Sequence, residues 1–173
     1  APQLASNTMR DTLLKATAYK DKASYRVRFS ATCALVELVQ AAATTETRDA
    51  LLKAAEDKNL YRCFAAATAL GRLMQVEPEL GDAKVRHTIK AAQEAMLKSF
   101  SDSSDEYIRY AAVSTFGKLV KAMPQYANNQ ARDALLKAAR DKDEDVRQSA
   151  ASALEVVEQA MRASAASVEA KKD

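Results

Sequence analysis

Apolar side chains return along this chain at helical spacing, in four stretches that align without gaps when Val27, Arg62, Ile108 and Val146 share a column. The fourth position after them is then Ala31, Ala66, Ala112 and Ala150, and the seventh is Ala34, Ala69, Thr115 and Ala153. The eighth is Leu35, Leu70, Phe116 and Leu154, and the eleventh is Leu38, Leu73, Leu119 and Val157. Offsets 0, 4, 7, 8 and 11 trace one face of an α-helix, so these columns predict a buried stripe. Arg62 breaks the first column, and Leu60 or Tyr61 is expected to fill the space there.

A second repeat precedes each stripe. Residues 48–58 read RDALLKAAEDK and residues 132–142 read RDALLKAARDK; RDTLLKATAYKDK begins at Arg10, and EAMLKSFSD runs from Glu94 to Asp102. Each unit is thus helix, turn, helix, with equivalent columns 35, 46 and 38 residues apart. Thr44, Thr45 and a capping Thr47, then Pro78 with Gly81, then Pro124 with Asn128 and Asn129, mark the breaks between pairs. Eight helices follow, near 4–20, 24–43, 46–57, 59–76, 82–101, 104–122, 126–141 and 143–163. They are expected to form one repeat domain over 1–163, with a frayed polar tail at 164–173.

Composition supports the all-α class. Ala supplies 37 residues and Leu 16, whereas Gly and Pro supply three each, which favours long helices at close range over sheets. A helical pair cannot bury both of its apolar faces alone and must stack on its neighbours.

The segment LLKAARDKDEDVRQSAASAL, Leu135 to Leu154, with weaker versions over nearly the whole chain, resembles the HEAT-repeat family of α-solenoids. The resemblance implies a right-handed all-α solenoid of about four helical pairs. It also implies a ladder in which a turn Asp and an Arg of the second helix tie adjacent repeats by hydrogen bonds. Asp141 with Arg147 fits that spacing best; Asp102 with Arg109 and Asp21 with Arg28 fit with extra turn residues. The second unit departs from the pattern, with Cys63 in the Arg column and Arg62 one place early.

Catalytic chemistry has little to work with. The single histidine, His87, shares its helix with Arg86 and Lys90, without a carboxylate at helical spacing to orient it, and reads as a surface residue. Its count rules out metal sites built on His pairs, and the three glycines form no phosphate loop, so neither metal nor cofactor is expected. Cys33 and Cys63 sit in Ala-rich helical runs and read as packed small residues of a reducing compartment, with a cytoplasmic location expected. A net charge of +3 is far from the dense positive field of sequence-independent nucleic-acid binding. Charges interrupt every apolar window, and no membrane span is predicted.

One row leaves the stripe. Phe29, Phe64, Tyr110 and Gln148 lie two positions after the first column, about 200° round the second helix. The small residues Thr68, Gly71, Ser114 and Gly117 continue along the same side. By the resemblance this row lines a concave surface, and the small residues leave a shallow groove in it. Phe29, Phe64 and Tyr110, with Arg72, Lys118 and Lys121 at the margin, are the candidate site for a peptide, a helix or an acidic segment of a protein partner. The expected function is a non-catalytic interaction scaffold. The alternatives are a HEAT-like lyase working on a bulky conjugated ligand and a nucleic-acid-binding solenoid. Against the site stands a packing role, with the aromatics wedged between helices.

Overall fold

A computed structural model describes the backbone of residues 2–17, 25–41 and 43–170; side chains are described from residue 7 onward, apart from residues 25, 26, 28, 29, 32, 40, 41, 168 and 169. Among the described residues there are eight α-helices and no strand. They are α1 (Pro2–Ala16), α2 (Tyr25–Ala41), α3 (Thr45–Ala55), α4 (Leu60–Val76), α5 (Ala83–Asp102), α6 (Glu106–Ala122), α7 (Asn129–Ala138) and α8 (Glu144–Glu169). The all-α helical-repeat architecture predicted from the columns is what the chain adopts. No helix among the described residues is long and apolar enough to cross a membrane.

Side-chain caps start the helices where the breaks were expected. Thr44, Asn59, Asp105, Asn128 and Asp143 each accept a hydrogen bond from a backbone N–H of the first turn of α3, α4, α6, α7 and α8. The cap of α3 is therefore Thr44, not Thr47, which donates its N–H to Thr44 and is itself buried. Short 3-10 turns at Pro78–Leu80 and Pro124–Tyr126 follow α4 and α6, each with its proline at the first position. At the other end α8 overruns the expected stop at residue 163 and continues to Glu169. Its last turns are rich in Ala and free of Gly and Pro, so nothing in them breaks the helix.

Contacts divide the chain into two units, Ala1–Ala95 and Met96–Asp173. In the first unit α1 packs on α2, α2 on α4 and α3 on α4, around Leu35, Leu51, Leu70 and Leu73, all with no exposed surface. The second unit packs α6 and α7 on α8, around Phe116, Leu119, Leu135, Val146 and Val157. There Phe100 meets Phe116 edge to face, ring centroids 5.5 Å apart and planes at 84°, a preferred aromatic geometry.

Within the second unit α6 and α8 approach closely at Gly117. A Cβ placed there would lie 3.2 Å from the Ala153 Cβ and 3.4 Å from its Cα, tighter than ordinary contact. Gly117 therefore serves helix packing, and the groove expected around it is filled by α8.

Burial within one stripe column varies from pair to pair. Leu70 and Phe116 are fully buried, yet Leu154 in the same column is only half-buried. Val27 is 49% exposed, whereas Val146 is fully buried. Leu70→Ala should accordingly cost about 2–5 kcal/mol and Leu154→Ala about half as much. Urea unfolding of the two variants checks this, and equal losses would show the last pair to be as enclosed as the second.

Candidate partner-binding surface

Two sets of polar side chains need a place in this packing: the ladder and the candidate surface row. Arg109 is 4% exposed, near the start of α6 in the second unit. Its Nε donates to Asp141 Oδ2 at 2.7 Å and its Nη2 to Asp141 Oδ1 at 2.8 Å, a two-pronged clamp on the turn of the next pair. The third prong, Nη1, donates to the Ser103 carbonyl in the turn before α6, at 2.9 Å. Asp141 Oδ1 also accepts the Asp143 N–H at 2.9 Å, so one carboxylate shapes its own turn and receives the neighbouring arginine.

The ladder thus joins adjacent pairs, but with other partners than the spacing suggested. Arg147 does not bind the Asp141 carboxylate; its Nη1 donates to the backbone carbonyls of Asp141 and Lys142, both at 2.9 Å. Asp102 does not pair with Arg109 either. It is exposed and accepts from the Ser101 hydroxyl at 3.1 Å. A helical arginine leans back toward the N-terminus of its helix, so an Arg of the second helix meets the carbonyls of its own turn and the carboxylate of the next. Asp21 and the side chain of Arg28 lie outside the described residues. At the irregular second pair, in the first unit, Arg62 bonds Asp57 of its own turn at 3.1 Å. Leu60, Tyr61 and Arg62 are all half-buried there, so neither Leu60 nor Tyr61 alone takes the missing apolar place.

The surface row divides between helices. Phe64 and Thr68 are buried in α4, which α1, α2 and α3 surround, and the Thr68 hydroxyl donates to the Phe64 carbonyl. Phe64 is a core residue and not part of a binding groove: neighbouring helices cover the side of α4 that the row occupies. The side chain of Phe29 lies outside the described residues. Arg72, in the first unit, is half-buried and reaches Gln75. In the second unit the row stays accessible. Tyr110, Ser114 and Lys118 are half-buried and Lys121 is exposed, at successive helical turns of α6. Tyr107 joins them, half-buried one turn before Tyr110; its spacing of three residues was the signal that could have included it. The equivalent row of α8, Gln148, Ser152 and Glu155, is exposed and polar.

Residues 93–169 match the family model for HEAT repeats. The family suspected from the columns is therefore shown over the stretch that holds the Arg109–Asp141 clamp. No curated protein matches the chain closely enough to count as a relative.

The other reactive groups are quiet. Cys63 is half-buried, and burial, with the nearby Asp57 charge second, pushes its thiol above the ordinary range and away from the thiolate. Cys33 is half-buried and His87 exposed.

The clamp makes the second unit acid-sensitive. The hydrogen bonds from Arg109 hold the Asp141 carboxyl below its usual range, with the Asp143 N–H and nearby positive charge adding to the effect against desolvation. A carboxylate depressed in the folded state contributes stability that is complete above its unfolded value, about 3.9, and is lost as pH falls through the lower folded value. Unfolding free energy measured from neutral pH downward should fall in this acid window for the natural chain, with a smaller pH dependence in Asp141→Asn. Asp141→Ala, which leaves the Arg109 guanidinium buried without its counter-charge, should cost about 3–5 kcal/mol at neutral pH.

Proposed function

We propose that this chain is a non-catalytic protein-interaction scaffold and that the α6 row of its second unit takes an acidic peptide or helix. HEAT repeats are generally protein-interaction scaffolds, and one observation carries the finer reading. On a second helix whose other faces are committed to the core, Tyr107, Tyr110, Ser114, Lys118 and Lys121 remain accessible along a single line. Tyrosine supplies broad contact area at low side-chain entropy cost, and its hydroxyl tolerates water. The small side chain of Ser114 between Tyr110 and Lys118 leaves room for a ligand backbone. The two lysines draw an acidic segment toward the aromatic end and orient it. Phe64 has no part in this site.

Binding to a panel of fluorescent peptides that differ in charge and helicity, followed by anisotropy, tests the proposal. Acidic peptides should bind best. Tyr110→Ala should weaken them more than tenfold, about 1.4 kcal/mol, with the thermal melt retained. Lys118→Glu with Lys121→Glu should act mainly on the association rate, and less at high salt. Equal affinity in Tyr110→Ala, or no preference for acidic peptides, would move the site off α6.

A further inference from the structure

The accessible line of α6 carries its charges in a definite order. At its start Glu106 precedes Tyr107 and Tyr110, all three half-buried, and Asp105 caps the helix by accepting the Tyr107 N–H at 2.9 Å. Ala111 and Ser114 in the middle are half-buried and small. Lys118 and Lys121 follow, with Lys121 in the last turn. The line from Tyr107 to Lys121 is about 21 Å long at the helical rise.

The neighbouring helix adds to this polarity. Arg109 meets Asp141 near the starts of α6 and α8, and Gly117 lies opposite Ala153 further along, so the two helices run in the same direction. Acidic Glu144 and Asp145 occupy the first turn of α8. One end of the surface is therefore acidic on both helices. At the other end α6 is basic, while α8 has an exposed Glu155 two residues after Ala153, which keeps an acidic ligand segment over α6 and toward its last turn.

Resting on the reading of α6 as the peptide site, we infer that its ligand is a helix of about four turns laid antiparallel on α6. Acidic residues of the ligand's first turn meet Lys118 and Lys121, and apolar residues of its later turns meet Tyr107 and Tyr110. The backbone groups of α6 are bonded within the helix, so an extended ligand finds no ladder to join, whereas a helical ligand satisfies its own. Ala111 and Ser114 give that helix its closest approach at mid-length. Direction follows from charge. A helix is partially positive at its N-terminus and negative at its C-terminus, so antiparallel neighbours attract and parallel ones repel. Acidic side chains suit the first turn of the ligand's own helix, and the lysines call for them at the last turn of α6. Antiparallel placement meets both demands. A ligand of the reverse charge order would either set its acidic turn against Glu106 or lie parallel to α6 with the two dipoles opposed.

Two stapled helical peptides of identical composition test the direction, one with glutamates in the first turn and leucine and tryptophan in the last two, the other with the same residues in reverse order. Staples hold both at equal helix content, checked by circular dichroism, and anisotropy with the full chain reads affinity. The first peptide should bind at least tenfold tighter. Lys118→Glu with Lys121→Glu should abolish that advantage, and lysines in place of the first-turn glutamates should recover binding to this variant. A nitroxide on the N-terminus of the first peptide should broaden the amide signals of Lys118 and Lys121 more than those of Tyr107 and Tyr110. Equal or tighter binding of the reversed peptide, no recovery by the lysine peptide, or broadening centred on Tyr107 would overturn the antiparallel helix and leave α6 standing as a site for acidic segments. Failure of both peptides to bind would overturn that site as well.

Discussion

A helix that follows a short turn carries more apolar surface than its own partner helix can cover. The second helix α6, buried at Ala112 and Val113 as well as at Phe116 and Val120, faces that constraint, and the remedy is to lay the next pair on it. Burial of Val113, Phe116 and Val120 on one side of α6 supplies the non-directional part of the attachment. It does not by itself select a register between the helices. The Arg109–Asp141 clamp does, because a guanidinium fork and a carboxylate meet in one plane with two short bonds. Since Asp141 also holds the Asp143 N–H, the register of the pair and the start of α8 are set at the same residue.

Much of this was legible from residue types at helical spacing. Leu35, Leu70 and Phe116 were placed in the core by their column, and all three have no exposed surface. The break at Asn128 follows from a side chain that prefers to cap a helix rather than continue it. Where periodicity alone decides, short-range information is sufficient.

The errors arise where a residue's surroundings come from distant segments. Phe64 shares a helical offset with Tyr110, yet the first is enclosed and the second accessible, because α4 is surrounded by three helices of its unit. No pattern within α4 encodes that difference. The Asp141–Arg147 spacing suggested a pair because the two lie close in sequence; the carboxylate went instead to an arginine 32 residues earlier. The apolar columns gave the stacking order, but not which of two nearby arginines would reach the turn.

Gly117 bears on shape as well as packing. With its missing side chain facing Ala153, α8 lies close against α6 at this point. Such a local pinch acts as a pivot: the angle between successive second helices depends on the difference in side-chain thickness at the pinch and away from it. In stacked repeats that angle, repeated, becomes curvature. Glycine here therefore works as a geometric setting of bend, and exchanging it for alanine would alter the tilt of α8 before it altered the helical content of either partner.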